Sequence, residues 1–111
     1  MSDCLFCKIL NKEIPSTKVY EDDDVYGFVD ISPMAKEHYL FIHKEHTQNV
    51  NESSSDQITS VYNAIKLFTQ ANDLSKDGFR VVTNQGKNGG QTVFHTHFHV
   101  LGGEQLKAFG S

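Results

Sequence analysis

The first apolar pattern along the chain predicts a short helix near the N-terminus. Asp3 is a suitable cap, the helix extends through Asn11, and Pro15 closes it. The apolar residues that recur at helical spacing in this segment are Leu5, Phe6, Ile9 and Leu10.

The second helical pattern predicts the longest helix of the chain. A polar segment at residues 53–56 opens it, and Gln57 lies three residues after Ser54, as in a capping box. The apolar stripe that follows consists of Ile58, Val61, Tyr62, Ile65 and Phe68. We predict that this stripe packs in the core.

The remaining apolar segments are short and bounded by turn residues, which indicates β-strands. Residues 18–21 and 25–30 form a predicted hairpin, residues 39–42 a third strand, and residues 79–83 and 93–101 two strands after the long helix. This order predicts an α+β fold in which a short N-terminal helix and one long helix pack on an antiparallel sheet of about five strands. We expect a single domain over residues 1–111.

Composition excludes several classes of partner. The 111 residues carry a formal charge of −4 and a pI near 5.8, whereas nonspecific binding to nucleic acid or to anionic membrane requires clustered Lys and Arg. We therefore expect neither a nucleic-acid nor a membrane partner. No apolar stretch approaches the roughly 18 residues of a membrane span, and residues 1–3 lack the basic start of a signal peptide. A cytoplasmic location is expected.

The candidate chemistry is concentrated in residues 95–99, where three of the six histidines alternate with Thr96 and Phe98. On a strand, His95, His97 and His99 share one face. The first and last of them would lie about 13 Å apart along a strand, so two could share a metal ion but all three could not. The alternative is an imidazole that acts as nucleophile or proton-transfer group, since its ordinary pKa is near neutrality.

Two further motifs flank this chemistry. Cys4 and Cys7 form a CxxC pair, which could be a redox dithiol, a disulfide or half of a zinc site. Zinc fits an intracellular chain best, and a tetrahedral site would need two more ligands. The turn over residues 86–92 leads into the histidines, so its amides and the Thr92 hydroxyl could reach a phosphate, although a plain hairpin connection would look similar.

The segment from His95 to Leu101 resembles the signature of the histidine-triad (HIT) superfamily, and the surrounding residues resemble its Hint-like branch of histidine-triad nucleotide-binding proteins. The supporting motifs cover essentially the whole chain: Phe6, Lys8-Ile9, Glu13-Ile14-Pro15, Tyr20-Glu21-Asp22, Asp30-Ile31-Ser32-Pro33, His38, Lys44-Glu45-His46, Asn84-Gln85-Gly86, Gly89-Gly90-Gln91-Thr92-Val93 and Leu101-Gly102-Gly103. The resemblance implies a HIT-like fold whose protomers form a homodimer with one continuous sheet.

The resemblance also implies a reaction. His97 would attack the α-phosphorus of a purine nucleoside phosphoramidate, of the AMP-amine or AMP-lysine type, and water would hydrolyse the nucleotidyl-histidine. His99 would hold the phosphoryl oxygens and assist the leaving group, His38 would complete the cluster, and His95 would orient the others. A purine nucleotide such as AMP or GMP would be substrate or product, and catalysis would require no cofactor.

The residues implied in nucleotide binding come from three regions of the chain: Leu5, Phe6, Ile9, Ile14, Phe28, Val29, Asp30, Ile31, Asn84, Gly90, Gln91, Thr92 and Val93. Asp30 would accept hydrogen bonds from ribose hydroxyls, while Thr92 and Gln91 would contact the phosphate or leaving group. About half of the apolar members are expected to be core only. Relatives with the same cysteine pair imply a structural zinc site of Cys4, Cys7, His46 and His95.

Two alternatives stay open at this stage. One is a dinucleoside polyphosphate hydrolase of Fhit type, which the residues Leu101-Gly102-Gly103 disfavour relative to the Hint branch. The other is a nucleotide-binding or zinc-stabilised interaction module with little turnover.

The sequence departs from the family pattern at Thr96, where an aliphatic residue is usual. If this side chain is buried on the strand, its hydroxyl requires a hydrogen-bonding partner.

Overall fold

A single five-stranded antiparallel sheet is the centre of the structure, a computed structural model that describes residues 3–109. Its strands are β1 (Lys18–Glu21), β2 (Val25–Val29), β3 (Glu37–His43), β4 (Phe79–Val82) and β5 (His97–Gly102). Their spatial order is β1-β2-β3-β5-β4, and every neighbouring pair is antiparallel. The α+β prediction of about five antiparallel strands is confirmed.

Within residues 3–109, four helical segments complete the fold. These are α1 (Leu5–Leu10), a 3-10 turn (Val50–Glu52), α2 (Ser55–Ala71) and α3 (Leu74–Asp77). The capping box of α2 forms as predicted, since Ser54 and Gln57 exchange side-chain-to-backbone hydrogen bonds. The cap predicted for α1 is wrong, because the thiol of Cys4, not Asp3, accepts the Cys7 N–H. This helix ends at Leu10, well before Pro15.

The two faces of the sheet carry separate apolar clusters. The face under α2 buries Val25, Phe41, Val61, Ala64, Ile65, Phe68, Leu74 and Val100, and the face under α1 buries Phe6, Ile9, Phe28, Leu40 and Ile42. Tyr62 does not join the first cluster as predicted, since 51% of its surface is exposed at the margin of the helix stripe. Because side chains alternate along β5, His97 and His99 lie on the α1 face, opposite Val100.

The histidine strand is shorter than the sequence predicts. It begins at His97 rather than at Val93, so His95 lies outside the strand. The reason is a lack of strand partners: β3 pairs with β5 only as far as Ile42 opposite His97. Conversely, β3 begins at Glu37, earlier than predicted, and this places His38 on a strand next to β5.

Among the described residues, no helix is long and apolar enough to cross a membrane.

Candidate active site

Three histidines meet on the α1 face of the sheet. His38 comes from β3, and His97 and His99 come from β5, its hydrogen-bonded neighbour. The ring centroids of His97 and His99 lie 5.1 Å apart, as do those of His38 and His99. The pairing of these two strands therefore brings together three of the four histidines that the family resemblance implied, whereas the ring of His95 lies apart, beside Cys4, Cys7 and His46.

The protonation of His97 follows from one hydrogen bond. Its Nδ1 lies 2.7 Å from the backbone carbonyl oxygen of His95, and a carbonyl can only accept. Nδ1 must therefore carry the hydrogen, which leaves the lone pair of the neutral ring on Nε2. Burial lowers the pKa of His97 from its ordinary value and so favours this neutral form. The lone pair on Nε2 therefore has a fixed position, and a neutral imidazole nitrogen of this kind can act as a nucleophile.

His38 and His99 form a directed hydrogen-bond chain. Nδ1 of His38 accepts the backbone N–H of Met34 at 3.0 Å, so the hydrogen of a neutral His38 is on Nε2. That nitrogen lies 2.9 Å from Nδ1 of His99 and 3.4 Å from a carboxylate oxygen of Asp30. His99 consequently accepts at Nδ1 and carries its own hydrogen on Nε2. The cluster presents one lone pair, on His97, and one N–H donor, on His99.

Burial favours the neutral forms of the His38 and His99 rings. It lowers the pKa of His99 to about 4, with His97 and His38 adding smaller electrostatic contributions in the same direction. Burial also lowers the pKa of His38, although the nearby carboxylate of Asp30 opposes the shift. At neutral pH, His97 can therefore accept at Nε2 and His99 can donate from Nε2, while both nitrogens of His38 are engaged by the Met34 N–H and by His99.

The apolar residues predicted to bind a nucleotide divide into three groups by their exposure. Phe6, Ile9 and Phe28 are buried in the core, Ile14, Val29 and Val93 are half-buried, and Leu5 and Ile31 are exposed. The ring of Phe6 packs edge-on against His97, with centroids 5.0 Å apart. An aromatic wall therefore borders the histidines, and the exposed members remain accessible to a ligand.

The glycine-rich turn is held by side chains that were predicted to contact the ligand. The buried amide of Gln91 accepts the Gly86 N–H and donates to the carbonyls of Gln48 and Val93. The amide of Asn84 donates to Gly89 at 2.6 Å. Both side chains thus fix the turn, in which Gly90 has a φ of +79°. Thr92 is exposed at the end of the turn.

A second cluster joins α1 to the loops before β5. It contains Cys4, Cys7, His46 and His95, whose donor atoms all lie within 4.8 Å of one another. His95 Nδ1 is 3.1 Å from His46 Nδ1 and 3.3 and 3.6 Å from the two sulfur atoms. Tetrahedral zinc with two sulfur and two nitrogen ligands places them about 3.3 to 3.8 Å apart. The donor set and its spacing fit a zinc ion.

The orientation of His95 supports that fit. Its Nε2 lies 3.0 Å from the carbonyl oxygen of His43, so Nε2 donates and the lone pair on Nδ1 faces the other donors. Metal-binding histidines commonly have this arrangement. Burial lowers the pKa of this ring to about 4, which favours the neutral, ligating form.

Some residues of this region were not predicted from the sequence. The hydroxyl of Thr96 is buried and bonds to Thr47 Oγ1 at 2.7 Å and to Ser53 Oγ at 3.2 Å. The partner required by this unusual residue is therefore a pair of hydroxyls contributed by the segment before α2. The supporting roles of the Met34 N–H and the His43 carbonyl were not predicted either, because nearly every residue has the same backbone groups and the sequence does not show which of them meet a histidine.

Comparisons with known proteins identify the family to which this chain belongs. Residues 11–106 match the family model of the HIT domain, and the chain belongs to the HIT family. A protein of Borreliella burgdorferi called an uncharacterized HIT-like protein is 41% identical over 114 residues, which cover 99% of this chain and 82% of that protein.

Solved structures support the same assignment. A HIT family hydrolase from Clostridium thermocellum superposes with a TM-score of 0.91 at 39% identity, covering 96% of each chain. A histidine triad nucleotide-binding protein from Candida albicans superposes with a TM-score of 0.83 at 35% identity, covering 88% of this chain and 73% of that one. The predicted family and fold are confirmed.

Proposed function

We propose that the protein is a nucleotide hydrolase that cleaves purine nucleoside phosphoramidates at the α-phosphorus through a covalent intermediate on His97. The observation that carries this proposal is the hydrogen bond from His97 Nδ1 to the His95 carbonyl, which leaves the Nε2 lone pair available for attack. The family match, together with solved relatives named a hydrolase and a nucleotide-binding protein, supports the same class of enzyme.

The first step forms the intermediate. Nε2 of His97 attacks phosphorus as the bond to the leaving amine breaks. In this proposal His99 takes up a proton when the anionic substrate binds beside it, and the resulting imidazolium donates its Nε2 hydrogen to the amine and returns to the neutral ring. The modified His97 ring becomes cationic, and the carbonyl of His95 stabilises the charge through the Nδ1–H. In the second step, water attacks phosphorus and transfers a proton to His99, and the bond to His97 breaks. The products are an amine and a nucleoside monophosphate.

The nucleoside would bind beside the histidines. In this proposal, the base lies against the apolar residues near Phe6, with the exposed side chains of Leu5 and Ile31 closing over it. Asp30 would accept hydrogen bonds from ribose hydroxyls, while its other contacts are to the Ser32 N–H and to His38. The Thr92 hydroxyl would donate to a phosphoryl oxygen.

We also propose a structural zinc ion at Cys4, Cys7, His46 and His95, which would cross-link α1 to the loops before β5. The ion would have no direct part in hydrolysis. Elemental analysis of protein never exposed to chelator should find about one zinc per chain, and Cys7→Ser should remove most of it. A much lower zinc content in the unmodified protein would contradict this assignment.

A homodimer belongs to the proposal as well. Tyr62 and Leu67 on α2, and Phe94 in the segment before β5, are all more than half exposed, and such apolar side chains would be available for contacts between protomers. Sedimentation equilibrium should give twice the chain mass of 12.5 kDa, and a mass of one chain at micromolar concentration would contradict it.

The direct test of the enzyme class is His97→Ala. Hydrolysis of an adenosine phosphoramidate should fall by orders of magnitude, while AMP affinity measured by calorimetry changes little. Equal activity in the variant would exclude the mechanism. A diadenosine polyphosphate assayed in parallel decides between this activity and that of Fhit-type hydrolases, since the better substrate has the higher kcat/KM.

A further inference from the structure

His95 takes part in both clusters through different atoms. Its ring nitrogen Nδ1 lies among the donor atoms of Cys4, Cys7 and His46, while its backbone carbonyl accepts the hydrogen of His97 Nδ1 at 2.7 Å. The side chain is fully buried, and its Nε2 is held by the carbonyl of His43. One residue therefore links the donor cluster to the carbonyl that orients His97.

The peptide unit between His95 and Thr96 is anchored by the same two segments that build the donor cluster. Its N–H donates to the backbone oxygen of Thr47 at 2.7 Å, and Thr47 directly follows the donor His46. Its carbonyl faces His97. Residues 91–96 lie outside the strands, so no sheet ladder fixes this peptide independently.

We propose that the His95 ring is a positioning group that makes the tautomer of His97 depend on the assembly of the Cys4, Cys7, His46 and His95 donors. With the donors held together by a thiophilic divalent cation, the carbonyl of His95 is fixed and His97 carries its hydrogen on Nδ1. With the donors apart, the hydrogen bonds of Thr96 to Thr47 and Ser53 still hold the two segments together, but the carbonyl of His95 is less firmly fixed and His97 populates both tautomers. This inference rests on the proposed function of His97.

The donor cluster is accessible to a regulating cation or to a chelator. His46 is exposed, and a cavity of about 680 Å³ opens beside Cys4 and His46. Thr92 and Phe94 line the same cavity. Cation supply can therefore set the fraction of nucleophile in the reactive form without any contact between cation and substrate.

The test uses the nitrogen NMR signals of histidine rings, which distinguish the two tautomers in the absence of substrate. Spectra are recorded at one fixed pH for the protein with added Zn²⁺, after chelation, and after Zn²⁺ is restored, with His97 assigned by comparison with His97→Ala. We expect a single Nδ1–H form with Zn²⁺, a mixture after chelation, and recovery on restoration. Cys7→Ser should give the mixture at all Zn²⁺ concentrations used.

Kinetics provide the second readout. Chelation and Cys7→Ser should each lower kcat in proportion to the remaining Nδ1–H fraction, by about two- to tenfold, with KM changed less than about twofold. Lys8→Ala, on the same helix but without loss of a donor, should retain both the tautomer and kcat. Circular dichroism monitors folding, and chelation of the unmodified protein keeps the test valid if Cys7→Ser does not fold.

Two outcomes separate this inference from the proposed function. An unchanged Nδ1–H signal after chelation, in folded protein confirmed to have lost Zn²⁺, overturns the inference even if hydrolysis is normal. A Zn²⁺-dependent tautomer in a protein without any turnover supports the coupling and overturns the proposed function instead.

Discussion

Replacement of Thr96 by valine tests the hydroxyl network that holds the segment before β5. The Thr96 hydroxyl is 2.7 Å from Thr47 Oγ1, 3.2 Å from the Thr47 carbonyl and 3.2 Å from Ser53 Oγ. Valine keeps the shape but cannot form these bonds. The hydroxyls of Thr47 and Ser53 still bond to each other at 2.7 Å, so neither is left without a partner.

The expected loss of stability follows from the number of hydrogen bonds that the Thr96 hydroxyl makes. Losing one or two net hydrogen bonds of about 1 kcal/mol each predicts a destabilisation of about 1 to 2 kcal/mol. For a chain of 111 residues, this corresponds to a decrease in Tm of about 4 to 8 °C. Calorimetry measures the shift, and urea unfolding should show a lower midpoint with an unchanged m value.

Thr59→Val is the matched control, because Thr59 lies exposed on α2. The same chemical change there should alter stability by less than about 0.5 kcal/mol. If the Thr96 variant melts together with the Thr59 variant, the buried hydroxyl network does not stabilise the fold and the reasoning is refuted.

Three further predictions concern packing, capping and pH. Gly27→Ala should lower the free energy of unfolding in urea by about 1 to 3 kcal/mol, because the added Cβ would lie 2.7 Å from the buried ring of Phe41. A variant as stable as the wild type would show that this ring can move and would contradict the prediction. Ser54→Ala should lower the free energy of unfolding by about 1 kcal/mol and reduce the helix content measured by circular dichroism. Unchanged stability would show that the capping box does not stabilise α2. Because His99 has a pKa of about 4 when folded and near 6.5 when unfolded, the unfolded chain binds more protons between these values, and stability should fall as pH decreases from 6.5 to 4. His99→Gln should show a smaller fall in urea midpoint over this window, and an equal fall would refute the assignment.

The sequence predicted those parts of the fold that depend on local patterns. Ser54 and Gln57 signalled the start of α2 by their spacing, and apolar alternation located the strands to within a few residues. Tyr62 was misplaced because helical spacing does not show how wide a face the sheet covers. The cap of α1 was missed because a thiol rarely caps a helix, whereas Asp often does.

The candidate site was predictable in its residues but not in their connections. The alternating histidines suggested that His95 belongs to the strand. It lies outside because β3 pairs with β5 only as far as His97, and the ring of His95 faces Cys4 instead. The ligand contact of Gln91 stays a prediction, but the sequence did not indicate that its amide also fixes the turn through three hydrogen bonds. Such roles depend on backbone groups that only the tertiary structure brings together.

The most direct measurement of the central claim is a rapid quench of the protein with an adenosine phosphoramidate, followed by intact-mass analysis and peptide mapping. The account predicts a transient adduct of one adenylate per chain, located on His97 and absent from His97→Ala. Hydrolysis without any adduct at single-turnover times, or an adenylate on another residue, would contradict it.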